Sequence, residues 1–155
     1  MSTPTLEDIE TAHVKATAAQ AAVAQLIVAY KAVRSRVIKL LSIDVELKDG
    51  ERYAGAILND DGTINHHVVL LPGEHQGEWE DSKAWAAELG GSLPDRREQR
   101  LLMANLAGEF GAFWYWSSEA HSERSAWCQT FGHGYQSLTG KSAQLRARAV
   151  RRVFP

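Results

Sequence analysis

Apolar residues recur in steps of three and four along the first 40 residues of the chain. The series begins at Ile9 and ends at Leu40. Uninterrupted heptads of this length indicate a coiled-coil seam; the alternative is a helix that packs on its own domain. We therefore expect residues 1–41 to form an oligomerising helix. A trimer is favoured, although the seam residues also fit a dimer. The expected contacts are Ile9, Ala16, Val23, Leu26, Tyr30, Val33 and Val37.

The periodicity changes at about residue 43, so residues 42–155 are predicted to form a second domain. Alternating apolar residues and two turn sequences, residues 48–51 and 59–62, predict a three-stranded β-meander over residues 43–73. Its strands are expected to begin at Ile43, Arg52 and Ile64. Residues 76–153 form the remainder of this domain.

Two helices are predicted next, over Trp79–Leu89 and over Arg96–Leu106. Gly90 and Gly91 end the first helix. Asp95 is a suitable N-cap for the second, and Glu98 falls three residues later, as in a capping box. Glycine-separated segments then predict short strands over residues 113–117, 125–131, 134–138 and 146–153.

Four sequence elements in this part of the chain form an ordered set. They are Gly90–Glu98 (GGSLPDRRE), Trp114–Glu119 (WYWSSE), Ala126–Phe131 (AWCQTF) and Arg146–Val153 (RARAVRRV). In this order they resemble the C-terminal domain of the Legionella collagen-like protein and its relatives of unknown function in bacteria and prophages. Asp95 stands where that family usually has threonine, and both residues cap helices well.

The resemblance implies an α+β architecture with a C-type-lectin-like fold, in which two helices flank a small twisted antiparallel sheet. It also implies a binding module of phage or prophage origin, associated with a tail fibre and carried in the virion after synthesis in the host cytoplasm. The expected partners are other copies of the chain, a host cell-surface protein or glycan, and other phage tail proteins. The alternatives are a structural fibre protein and a prophage-encoded intracellular regulator that binds a host protein.

The composition limits other classes of function. A net charge of −2 argues against a protein that mainly binds nucleic acid. The polar, acidic first residues do not resemble a secretory signal peptide. The apolar run at residues 18–30 is too short and mixed for membrane insertion.

Three tryptophans are expected to serve packing. Trp114 and Trp116 lie two residues apart on one predicted strand and should share a face. Trp127 lies on a neighbouring strand and is expected to stack with them in a core, while Tyr115 and Ser117 point to the opposite side.

The residues that could support catalysis or metal binding do not complete a known pattern. Cys128 is the only cysteine; it could act as a nucleophile with His121 or His133 as base, but a buried thiol is the favoured interpretation. His66 and His67 are adjacent on a strand and face opposite sides, so they cannot share a metal there. We therefore expect no enzyme activity, no cofactor and no metal.

Ligand contacts are expected in two polar, glycine-containing loops, residues 119–124 and 132–141. Such loops on a rigid scaffold commonly carry binding residues. The candidates are His121, Arg124, His133, Tyr135, Gln136 and Lys141. The arginines of residues 146–152 are instead expected to pair with nearby carboxylates, with Arg146, Arg148 and Arg152 on one face of the last strand; the alternative is contact with an anion or a glycan sulfate.

Overall fold

The computed structural model describes residues 4–34 and 43–155, with the side chains of residues 32–34 left undescribed. The chain divides into two compact units, Met1–Lys39 and Leu40–Pro155. The predicted seam residue Val37 and the side chain of Val33 lie outside the described part, as does the predicted boundary between residues 41 and 42.

The described part of the first unit forms one helix, α1 (Leu6–Arg34). Thr5 caps it, because its hydroxyl accepts a 3.3 Å hydrogen bond from the Asp8 N–H. The Asp8 carboxylate in turn accepts the Thr5 hydroxyl at 2.6 Å and the Thr5 N–H at 2.9 Å, and these two hydrogen bonds to the carboxylate lower the pKa of Asp8. Side chains of α1 are exposed from Leu6 to Lys31.

The second unit is α+β. Its helices are α2 (Trp79–Glu88) and α3 (Arg96–Leu106), followed by a short 3-10 turn, Ala107–Glu109. Its strands are β1 (Arg52–Leu58), β2 (Ile64–Leu70), β3 (His75–Gly77), β4 (Trp114–Ala120), β5 (Ser125–Thr130), β6 (Gln136–Gly140), β7 (Leu145–Ala147) and β8 (Val150–Val153). Both predicted helices are therefore present with nearly the predicted bounds.

The predicted capping box fixes the start of α3. The Asp95 carboxylate accepts the Glu98 N–H at 2.7 Å, and the Glu98 carboxylate accepts the Asp95 N–H at 2.7 Å. After α2, Gly90 has φ +75°, a backbone conformation that glycine adopts without strain. Local signals thus set the helix ends.

The strands divide between two sheets. One has the order β1-β2-β8 and the other the order β3-β7-β4-β5-β6. Neighbours are antiparallel except β4 and β7, which pair in parallel at Tyr115 and Arg146.

Two predictions about the strands are wrong. Residues 43–48 form no strand. The third strand of the sheet that contains β1 and β2 is instead β8, with His67 opposite Val153. The predicted last strand is also two strands, because Arg148 and Ala149 interrupt it and β7 and β8 join different sheets. Arg146, Arg148 and Arg152 therefore do not line one strand face.

Tyr115 and Trp116 point into two separate cores because successive strand residues alternate in direction. Trp116 packs against α2 with Trp79, Ala86 and Cys128. Tyr115 packs with Leu102 of α3 and with Phe131, Val68 and Ile57. Helix α3 contacts β1 of one sheet and β4 and β5 of the other. It therefore joins the two sheets through the second core.

The prediction that three tryptophans share one core is wrong for two of them. Trp116 is fully buried, but Trp114 is 39% exposed. Cys128 lies opposite Trp116, so its neighbour Trp127 faces the other side of the sheet, toward α3. Tyr115 and Ser117, which alternate with Trp116 along β4, are both buried.

No helix in the described ranges is both long and apolar enough to cross a membrane.

Candidate ligand-binding surface

The predicted contact residues lie at two ends of strand β5. His121 and Arg124 belong to the turn before it, where the Lys141 N–H donates to the Arg124 carbonyl at 2.9 Å. His133 and Tyr135 belong to the turn after it. A strand of six residues spans roughly 17 Å. The structure therefore does not gather these residues into one cluster.

Gln136 begins β6 and connects the second group to helix α3. Its amide N–H group donates to the Arg96 carbonyl at 2.8 Å and to the Gln129 side chain at 3.0 Å. Its amide oxygen accepts from Arg96 Nε at 3.3 Å. These bonds fix the Arg96 side chain on the sheet.

Arg96 lies flat over Trp127. Its guanidinium carbon is 3.6 Å from the centre of the indole ring, a geometry that attracts a cation to the ring electrons. The His121 ring meets the same indole edge-on at 6.1 Å. Gln136, Arg96, Trp127 and His121 therefore form a continuous strip between the two ends of β5.

A groove of about 360 Å³ lies beside this strip. We call it the α3 surface, and define it by its lining residues: Arg96, Arg97, Arg100, Glu119 and Gln136. Glu119 accepts the Arg96 backbone N–H at 2.8 Å, which places a carboxylate at the positive end of the α3 dipole.

The three arginines of the α3 surface have no carboxylate partner within the described residues. Arg97 donates to the Leu58 carbonyl at 2.6 Å. Arg100 is exposed, and its guanidinium makes no hydrogen bond or ion pair to the described chain. The groove thus holds three cations and one anion, and it suits a ligand that carries negative charge.

Two other candidate residues have different surroundings. Tyr135 is 69% exposed, with the His133 ring 6.1 Å away. The Lys141 ammonium lies 4.3 Å from the ring centre of buried Trp79, which also carries Lys83 at 4.1 Å. Lys141 is therefore held against the core.

The thiol of Cys128 is buried, as the sequence favours. It is 3% exposed and donates a 3.4 Å hydrogen bond to the Ser137 carbonyl. Burial raises the pKa of the Cys128 thiol to about 11, so it is protonated at neutral pH. Within the described chain, neither His121 nor His133 hydrogen-bonds to it. This thiol is not poised as a nucleophile.

The adjacent histidines of β2 serve separate contacts. His66 Nε2 lies 2.8 Å from the buried carboxylate of Glu98, and His67 Nδ1 lies 2.8 Å from the Tyr53 hydroxyl. Across residues 4–34 and 43–155, no three His, Cys, Asp or Glu side chains come close enough to hold a metal ion.

Four residues of this region, Arg96, Arg97, Arg100 and Trp127, are not among the site residues predicted from the sequence. One sequence feature does indicate a basic surface, because Arg96 and Arg100 are four residues apart and so share a helix face. The stacking of Arg96 on Trp127 joins residues that are distant in sequence, and no local pattern indicates it.

No model of a known protein family matches the chain, and a search of curated proteins found no match either.

Proposed function

We propose that this protein is a non-enzymatic binding module, with a C-type-lectin-like head carried on an oligomerising helix. Its origin is a phage or prophage, and it recognises a receptor on a host cell as a tail-fibre-associated virion protein. The observation that carries the proposal is the α3 surface, where three arginines without carboxylate partners line a groove on a rigid scaffold.

The four motifs that suggest the family occupy structurally important positions, which supports the proposed head. The first motif starts α3 through its capping box. The second is β4, which contributes buried Tyr115 and Trp116 to the two cores. The third is β5, and the fourth supplies β7 and β8, one to each sheet. Residues in such positions are the ones a shared fold requires.

The composition of α1 supports the proposed oligomer. From Val23 to Ala29 the helix is apolar on every side except at Gln25, and Val23, Leu26, Ile27 and Val28 are 55%, 68%, 48% and 67% exposed. Fully burying one such side chain contributes roughly 1.5–3 kcal/mol. Association through the Val23–Leu26 seam would remove several of them from water together.

Oligomerisation would also strengthen binding at the α3 surface. An exposed groove with a few charges gives weak affinity for a single head. Several heads on one stalk turn later contacts into intramolecular ones, which can raise the overall affinity by about 10²–10⁴.

The experiment combines sedimentation with binding of the labelled full chain to a panel of bacterial cells, read by flow cytometry. We expect an oligomer that binds at least one strain. Leu26→Glu should yield monomers, because it places charge in the seam, and should weaken cell binding roughly 10²-fold. Arg97→Ser with Arg100→Ser should keep the oligomer and weaken binding about 10-fold or more. Glu88→Gln, an exposed change on α2, is the matched control.

A full chain that binds none of the cells overturns receptor recognition and favours a structural fibre protein or an intracellular regulator. A full chain that sediments as a monomer at high concentration removes the oligomer. Unaltered binding by the double arginine variant removes the α3 surface from the proposal.

A further inference from the structure

A second surface lies on the other face of the five-stranded sheet, around Trp114. This side chain is 39% exposed although Trp116, two residues later on the same face, is fully buried. The indole N–H groups of Trp79 and Trp116 donate to backbone carbonyls at 2.7 and 2.9 Å. The Trp114 indole N–H has no such partner within the described chain. Packing therefore leaves this ring and its donor available.

Two small grooves share Trp114 and Leu145 in their walls. One is about 190 Å³ and is also lined by Ser137 and Thr139. The other is about 230 Å³ and is also lined by Gln76 and Gln144. Each is below the ~300–1,000 Å³ of a pocket for a drug-sized molecule. A groove of this size suits one small ring.

The polar groups around Trp114 are uncharged and uncommitted. The side chains of Gln76, Gln144, Ser137 and Thr139 make no hydrogen bond within the described chain. The register places Ser137 opposite Cys128, which lies opposite Trp116, so Ser137 is on the Trp114 face. We call Trp114 with these four residues the Trp114 platform. It offers amide and hydroxyl groups beside one flat aromatic ring.

The charge of the platform argues for an uncharged ligand. Arg146 is the only charged residue that lines either groove. Its guanidinium lies 2.5 Å from the Glu74 carboxylate and 3.6 Å from the centre of the Phe113 ring. The charge is therefore compensated and the Phe113 face is covered. This contrasts with the α3 surface, whose arginines have no carboxylate partner.

We propose that the Trp114 platform binds a neutral glycan of at least two sugar units, in which uncharged pyranose rings occupy the two grooves beside the Trp114 indole. The C–H face of a pyranose carries slight positive charge and packs on the negative face of an indole. Its hydroxyls match the amide and hydroxyl groups of the platform. The inference adds a second site, for an uncharged ligand, to the α3 surface of the proposed receptor-binding function, and it rests on that function for its biological setting.

A proline-rich peptide is the main competing occupant, and the structure favours it less. Such peptides dock in grooves lined by several open aromatic rings. Beside the platform Arg146 covers Phe113, and among the described residues Trp114 is the one open ring that lines the two grooves. A proline-rich peptide also has no side-chain hydrogen-bond donors, so it would leave several of the four polar side chains of the platform without partners.

The test follows the indole N–H signals of the isotope-labelled full chain by NMR, with the Trp114 signal assigned from Trp114→Phe. The probes are cellobiose, lactose, maltotriose and chitotriose, with a proline decapeptide for comparison. We expect at least one sugar to shift the Trp114 signal saturably, with a Kd on the order of 1 mM. Trp114→Ala lacks this signal, so its binding is read from the backbone N–H signals of Ser137 and Thr139, and it should be weaker by about 10-fold or more.

Gln144→Ala, an exposed substitution that leaves the core intact, should weaken the same binding severalfold. Phe154→Ala removes a more exposed ring elsewhere, at 65% against 39% for Trp114, and should leave the sugar binding unchanged. No response to any of the four sugars, a response that survives Trp114→Ala, or a response to the peptide alone would each overturn the proposal. So would a Trp114 signal that shifts on dilution alone, since a second copy would then cover the ring.

The two proposals fail separately. Cell binding without any sugar response refutes the Trp114 platform and leaves receptor recognition standing. A sugar response without cell binding refutes receptor recognition and leaves the Trp114 platform standing.

Discussion

The arginines that follow β6 and the arginines of α3 differ in what neutralises them. Arg151 contacts Glu51 at 2.7 Å, and Arg152 contacts Glu98 at 2.6 Å. Both carboxylates are almost inaccessible, at 5% and 0% exposure. Arg97 and Arg100 have no carboxylate partner among the described residues. The same side chain is thus part of the fold in one region and available to a ligand in the other.

Whether an arginine is structural or available to a ligand therefore depends on whether it has a buried carboxylate partner, and not on how many arginines lie nearby. A buried carboxylate must be paired, because an unpaired charge away from water is costly. The arginine that pairs with such a carboxylate is therefore required for the stability of the fold. An exposed arginine without one gains little from the fold and retains its hydrogen-bonding capacity.

The largest expected effect comes from Arg152. Arg152→Ala removes two of the hydrogen bonds that hold Glu98, which also accepts from the Asp95 N–H and contacts His66. We expect the free energy of unfolding in urea to fall by about 4 kcal/mol, the typical cost of leaving one partner of a buried pair.

Replacing both charges in Glu98→Gln with Arg152→Met should cost less than Arg152→Ala alone, because no unpaired charge is then buried. A loss below about 1 kcal/mol for Arg152→Ala would show that the pair is not structural.

Arg151 is expected to have a smaller, pH-dependent effect. Its hydrogen bonds lower the pKa of Glu51 from 4.5 to about 2, against the opposing effect of burial. A lowered pKa in the folded state stabilises the fold fully above pH 4.5, and this contribution is lost as the pH falls toward about 2. We expect Arg151→Ala to cost about 2 kcal/mol at neutral pH, after discounting for the partly solvated guanidinium.

The measurement is urea unfolding of the unmodified protein and of the Arg151→Ala variant, from pH 7 down to about 2. The difference between them should be constant above about pH 5 and should shrink toward zero at the acid end. Arg146→Ala is the control, since its partner Glu74 is 34% exposed and such pairs contribute about 0–1 kcal/mol. A difference that does not change with pH would contradict the assignment to Glu51.

Helices α2 and α3 could be predicted from the sequence because their signals are local. The apolar period, the Asp95–Glu98 capping box and Gly90 all lie within a few residues of the ends they set. The strand partners could not be predicted in this way. Val153 pairs with His67, far away in sequence, and no local signal marks the break at Arg148 and Ala149 that sends β7 and β8 to different sheets.

The candidate site shows the same limit. Loop composition indicated His121 and Gln136, and both belong to the strip beside the α3 surface. It could not indicate Trp127, because the direction of a strand residue depends on the register with its neighbour. The predicted pairing of the late arginines with carboxylates is confirmed for Arg146, Arg151 and Arg152, although Arg148 instead donates to backbone carbonyls. Which carboxylates are buried depends on the tertiary fold, as Glu51 and Glu98 show.

The smallest expected effect on stability concerns the arginines of α3, which have no carboxylate partner among the described residues. Arg100 is exposed and contacts no carboxylate within the described chain, so Arg100→Ala should change the free energy of unfolding by less than about 0.5 kcal/mol. Alanine also favours the helix slightly more than arginine does, which works against any loss. Arg152→Ala, measured in the same urea series, provides the contrast. A loss above about 1 kcal/mol for Arg100→Ala would mean that the fold uses this guanidinium, and the α3 surface would then have one fewer cation to offer a ligand.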